Sequence, residues 1–156
     1  MGAQRGYTLV ELMVTIALII IITAIAAPSY FSHVMNMNLK SAARNIQSDF
    51  LSLKQRAISE STTYRITFQA DGNTYTIEKG TGSGSPYVPL EVKTPMTFGE
   101  DIAIQYADFS GGTSAITFQE RGIATNGKVV LANSRGSTAA VTTSISGRTY
   151  VQLNMQ

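Results

Sequence analysis

From Leu12 to Leu39 the chain carries no formally charged side chain, and between Met13 and Ala27 the only polar ones are Thr15 and Thr23. A run of that length and polarity predicts a helix that spans a bilayer. Glu11 stands at its edge. A carboxylate entering hydrocarbon costs at least about 2.5 kcal/mol, so it either finds a cationic partner or stays hydrated or protonated near the interface. The start of a helix also favours an acid there. Pro28 follows inside the same helical pattern, where it removes a backbone donor and crowds the preceding turn. A kink is expected at Pro28, or a simple bend where the helix leaves the membrane.

From Leu39 the apolar positions recur every three or four residues, at Leu39, Ala42, Ala43, Ile46, Phe50, Leu53 and Ala57, with Lys40, Arg44, Asp49, Lys54 and Arg56 off that stripe. This is the pattern of an amphipathic helix continuing to about Ser59. Counted from Tyr7 it would be roughly 80 Å long, more than a domain of this size can bury. After Glu60 the period changes to two. Tyr64, Ile66 and Phe68 alternate with Arg65 and Thr67, Ala70 to Asn73 make a turn, and Tyr75 and Ile77 resume, which predicts a β-hairpin. Thr81 to Pro86 reads as a surface loop. Further short strands are expected over Tyr87 to Val92, Ile102 to Tyr106, Ala115 to Phe118, Lys128 to Leu131, Ala139 to Ile145 and Thr149 to Leu153, divided by turns. Asp101 beside Glu100 reads as a turn before a strand. The fold class is α+β, a long N-terminal helix on a small antiparallel β domain.

Composition narrows the chemistry. A chain of 156 residues allows one domain plus an anchor, and a net charge of +2 implies no strong nonspecific attraction to nucleic acid. With no cysteine there are neither disulfides nor thiolate metal sites, and the single histidine, His33, reads as a solvated residue just past Pro28. Asp71-Gly72-Asn73 has the look of a calcium loop but lacks the later acidic ligand, so it reads as the hairpin turn. The acidic residues show no paired motif, and no cofactor, metal or catalytic constellation is expected.

Gly6 followed by Tyr7, with Glu11 four residues on and the apolar run behind it, resembles the class III signal of type IV pilins and type II secretion pseudopilins. The resemblance implies cleavage after Gly6 by a prepilin peptidase, N-methylation of the new N-terminal Tyr7, and retention of the apolar helix. An ordinary secretory signal instead places its apolar stretch before the cleavage site. The implied division is a leader at 1–6, a transmembrane and filament-core helix at 7–27, an amphipathic continuation at 28–59 and a β-rich globular domain at 60–156. The cationic Tyr7 amine of one subunit then neutralises Glu11 of its neighbour and sets the axial register. Pro28 matches the proline of the pilin helix, near which helicity can be lost in assembled pili. Arg5 and the chain amine supply positive charge on the short side, so the long C-terminal part is expected in the periplasm or outside the cell, on a single-pass inner-membrane anchor.

A second resemblance covers about the last forty residues. Ile116 to Gly122, Asn126 to Leu131 and Ser146-Gly147-Arg148 with the apolar strand after it are similar to the C-terminal domain of the pseudopilin H and FimT family, whose members are low-copy subunits. It implies a minor structural subunit, not an enzyme, of a type II secretion pseudopilus or a type IV pilus. Its partners would be other pilins or pseudopilins, the prepilin peptidase and a membrane-embedded assembly platform. Two alternatives stay open, a membrane-tethered binding module and a DNA receptor in uptake. Gly147-Arg148 falls where some FimT-type pilins carry a DNA-binding arginine motif. Arg148 would act there with Lys128 and Arg135, and Arg121 belongs to the same basic set. No second cation follows Arg148, and duplex DNA binding needs several phosphate contacts.

Overall fold

The computed structural model describes residues 7–81 and 86–156, so Arg5, Gly6 and most of the glycine-serine loop, 82–85, lie outside the described residues. The chain divides into two units, Met1–Val34 and Met35–Gln156. Helix α1 is assigned over Leu9–Ser59.

In the first unit the helix begins on a cap. Thr8 Oγ1 accepts the Glu11 backbone N–H at 3.2 Å, which satisfies one donor that a helix start leaves orphaned, and the Thr8 carbonyl accepts the Leu12 N–H at 3.2 Å as the first helical bond. Every residue from Tyr7 to Ala26 is exposed. The hydroxyls inside the apolar run turn back on the helix. Thr15 donates to the Leu12 carbonyl and Thr23 to the Ile19 carbonyl, both at 2.8 Å, which removes the penalty of an unpaired hydroxyl in hydrocarbon. Pro28 lies within the helical span, and Ser32 Oγ donates to its carbonyl at 2.9 Å.

In the second unit the buried residues of α1 are Leu39, Ala42, Ala43, Ile46, Phe50, Leu53 and Ala57, the whole of the expected stripe. Eight strands follow: β1 (Tyr64–Gln69), β2 (Thr74–Gly80), β3 (Tyr87–Lys93), β4 (Ala103–Phe109), β5 (Ala115–Phe118), β6 (Gly127–Ala132), β7 (Thr138–Thr143) and β8 (Thr149–Asn154). They form two antiparallel sheets, ordered β3-β2-β1-β5 and β4-β6-β7-β8. β4 runs three residues further than its pattern suggested and β7 ends two earlier. A 3-10 turn over Pro95–Phe98 occupies a stretch with no expected element, with Thr94 accepting the Met96 N–H as its cap and Pro95 opening it.

Alternation decides which faces close on the helix. Tyr64, Ile66 and Phe68 of β1, Tyr75 and Ile77 of β2, and Ile116 and Phe118 of β5 are buried, as are Phe109, Val129, Leu131, Ala139 and Val141 of the second sheet. Phe50 of α1 meets Phe118 at 5.7 Å and Phe68 at 6.2 Å between ring centroids, and Phe68 stacks on Phe109 at 6.0 Å. These rings join the helix and both sheets in one core. The turn at 70–73 is closed by the Asn73 N–H on the Ala70 carbonyl, with Asn73 at φ 48°. The Asn73 side chain also pins β4, donating to the Ile102 carbonyl and accepting the Ile104 N–H, both at 2.8 Å. Those bonds occupy the amide that a calcium loop would need.

Candidate assembly site

Tyr7 and Glu11, the two described residues of the expected processing and assembly site, are both exposed at the helix start, while Gly6 lies outside the described residues. Thr8-x-x-Glu11 has the spacing of a capping box, a signal the sequence reading passed over. Only the threonine half is made. Among the described residues the Glu11 carboxylate has no hydrogen-bond or ion-pair partner, and it stands at the head of an uncovered apolar helix.

The expected basic residues are sorted by two anchors on α1. Lys54, off the apolar stripe, donates its Nζ to the carbonyls of Ser146 at 3.0 Å and Gly147 at 3.3 Å, which holds the β7–β8 turn carrying Arg148 against the helix. Asn133 donates to Asn36 Oδ1 at 3.2 Å, which places the β6–β7 turn carrying Arg135 near the start of the same unit. Asn36 and Lys54 are 18 positions apart, about 27 Å along a helix. Arg148 and Lys128 therefore share one end of the second sheet, together with Arg121 in the turn before β6, and Arg135 lies at the other. Lys128 packs beside the Tyr106 ring at 5.7 Å and lines a groove of about 630 Å³ with Asp108, Thr142, Ser144, Ile145 and Tyr150.

The paired charges hold the fold. Glu60 accepts from Lys79 and from the Tyr64 hydroxyl, each at 2.6 Å, and these bonds hold its carboxyl at about 2. Arg65 meets Glu78 at 2.6 Å; partial burial alone would raise the Glu78 carboxyl, but the bonds from Arg65 and Thr67 outweigh it and lower it. Asp49 takes Lys93 at 2.9 Å and the Tyr75 hydroxyl at 2.8 Å, and burial followed by the Asp49 charge pushes the Tyr75 hydroxyl up. Each shift has a structural partner between helix and strand or between strands, and none sits with a nucleophile. Among the described residues no group of three His, Cys, Asp or Glu is placed to hold a metal ion. His33 is exposed.

Comparison with known proteins agrees at both ends. The prokaryotic N-terminal methylation motif matches residues 1–27, and the family model of the type II transport protein GspH matches residues 42–147. A search of curated proteins finds no match. Among solved structures the chain is similar to the minor pseudopilin EpsH of the Vibrio cholerae type 2 secretion system, at 16% identity and a TM-score of 0.60, covering 74% of this chain and 97% of that one. It is also similar to the type IV minor pilin FimU of Pseudomonas aeruginosa, at 21% identity and a TM-score of 0.52, covering 74% and 92%. At these identities the likeness establishes the pilin-like fold. The methylation motif and the apolar helix fit a membrane-anchored pilin, and relatives of this kind are structural subunits that assemble with other pilins rather than enzymes. With a fold of this kind and a family match over two thirds of its length, the chain belongs to the type II transport protein GspH family.

Proposed function

We propose that the protein is a minor subunit that inserts in the inner membrane through 7–27, is cleaved after Gly6 and N-methylated on Tyr7, and enters or primes a type II secretion pseudopilus or a type IV pilus. The domain boundaries are those read from the sequence, with the C-terminal domain in the periplasm or outside. Prepilin peptidase and a membrane-embedded assembly platform are its transient partners. One observation carries the reading: an apolar helix exposed from Tyr7 to Ala26 whose first turn holds a carboxylate with no partner among the described residues. In a bilayer such a carboxylate is costly, and a neighbour's N-terminal amine removes the cost on assembly. Intact mass of the membrane-extracted protein is expected to show a chain beginning at methylated Tyr7. Glu11→Ala is expected to insert and be cleaved normally yet to drop out of sheared filaments. Normal incorporation of that variant would sink the pairing role.

A second reading, DNA contact, is favoured by Lys128 and Arg148 sharing an end of the second sheet with the exposed Tyr106 and Tyr150. Arg135, in the turn held by Asn36 at the other end of the sheet, stands apart from this pair. About two or three neutralised phosphates would give weak binding with a salt slope near −0.9 for each. A mobility-shift titration at low and physiological salt, with Arg148→Ala alongside, tests it. Absence of any shift at low salt removes this reading and leaves the first intact.

A further inference from the structure

The second sheet buries one face in the core and leaves the other uncovered. Val129 and Leu131 of β6 and Ala139 and Val141 of β7 belong to the core, so the residues that alternate with them face outward. Register then arranges that outer face in rows. Asp108, Lys128, Thr142 and Tyr150 stand side by side across β4, β6, β7 and β8. Tyr106, Val130, Ala140 and Gln152 form the adjacent row. Val130, Ala140 and Thr142 make a low floor between two outer strands that carry Tyr106, 41% exposed, and Tyr150, 48% exposed. Three strand spacings, about 14 Å, separate those two strands. The groove of about 630 Å³ is lined by the whole first row, and its lining holds one cation, Lys128, and one anion, Asp108, directly opposite each other in register. Its formal charge is therefore zero. Among the described residues the side chains of Asp108, Asn126, Lys128, Thr142, Tyr150 and Gln152 make no hydrogen bond or ion pair, whereas the Ser144 and Ser146 hydroxyls at the rim bond each other at 3.0 Å.

We propose that this face binds a linear, uncharged glycan. The amides of Asn126 and Gln152 and the hydroxyls of Thr142 and Tyr150 each donate and accept, which complements a ligand whose own polar groups are hydroxyls that do both. Tyrosine rings offer the apolar C–H faces of pyranose rings a surface to cover, and two of them on strands about 14 Å apart match a chain better than a single sugar. Charge points the same way. A polyanion laid along the first row would bring its phosphates against the Asp108 carboxylate, whereas a neutral chain meets no repulsion and takes Asp108 as an acceptor. The volume of the groove lies within the range of about 300–1,000 Å³ usual for ligand sites. Such binding adds a ligand to the filament subunit and needs no neighbour in a filament.

Equilibrium dialysis of the full-length chain in detergent against cellohexaose and chitohexaose, linear uncharged hexamers of glucose and of N-acetylglucosamine, tests it. At least one hexamer is expected to bind, with a Kd unchanged between low and physiological salt because no ion pair forms. Tyr106→Ala and Tyr150→Ala are each expected to raise that Kd about tenfold, the loss of one aromatic contact. Both side chains are exposed, so the variants are expected to melt as the parent does. Thr142→Arg, which fills the floor, is expected to abolish binding, and Tyr30→Ala, in the first unit and 67% exposed, to leave it as it was. Retention of neither hexamer would overturn the proposal, and so would a Kd that none of the three groove variants changes. Salt-sensitive retention of duplex DNA with both hexamers passing freely would overturn it in favour of the DNA reading. Each of these outcomes leaves the filament reading standing.

Discussion

Gly147 is the residue on which the β7–β8 turn depends, and the cause is space more than sequence family. Its φ is 69°, and a Cβ there would lie 2.8 Å from both the Gly122 carbonyl oxygen and Lys54 Nζ. An alanine would pay about 1–2 kcal/mol for the left-handed backbone. It would also push Lys54 off the two carbonyls it holds, and a hydrogen bond to a charged group contributes about 1.5–3 kcal/mol. Gly147→Ala is therefore expected to lose about 2.5–5 kcal/mol in urea unfolding. Gly112→Ala is the control, because its φ is 68° with nothing within 4 Å, and only about 1–2 kcal/mol is expected there. Equal losses at the two glycines would mean that the Lys54 latch adds nothing. The pair Gly147-Arg148, read from the sequence as a possible nucleic-acid motif, thus has a structural reason for its glycine whatever Arg148 contacts.

At the scale of elements, local signals carried far and pairing did not. The seven-residue stripe of α1 was legible in full, because helix burial follows the 3.6-residue period and each of those positions faces the core. The strands were legible for the same reason at period two, from β1 through β8, with differences of more than one residue only at the ends of β4 and β7. The division into two sheets was not, since β1 pairs with β5 across a long stretch of chain and no periodicity encodes a distant partner. Asp49 and Lys54 stood off the stripe, and the pattern gave them no partner. In the structure Asp49 ties α1 to Lys93 of β3, and Lys54 ties it to the β7–β8 turn, because long or flanking side chains reach around the edge of a helix face. Two signals were present and unused: Thr8-x-x-Glu11 for the helix cap and Thr94-Pro95 for the 3-10 turn. Of the candidate site, Glu11 stood out as a lone carboxylate beside an apolar run, and Tyr7 through the resemblance to the pilin signal. The separation of Arg135 from Arg148 was hidden, because it depends on which turn meets which end of the helix.

For the whole molecule, the boundary at Val34 and Met35 makes a strong claim about independence. A chain beginning at Met35 omits the uncovered apolar run but keeps all seven stripe residues and the clasp in which Asn36 donates to the Gln156 carbonyl at 3.3 Å and accepts from Asn133. Its remaining exposed apolar residues on α1, Met37, Leu51 and Ile58, are spread along the helix and form no single patch. The fragment is expected to melt cooperatively and to sediment as a monomer, because the exposed apolar residues left on α1 offer no continuous surface for a stable interface. Starting instead at Lys40 removes the clasp and Leu39, which is 0% exposed. Loss of a buried leucine alone costs about 2–5 kcal/mol, so the shorter fragment is expected to melt far lower or not fold. Equal melting of the two fragments would place the working boundary beyond Leu39, and concentration-dependent oligomers of the longer one would show that the outer face of α1 binds without help from the anchor.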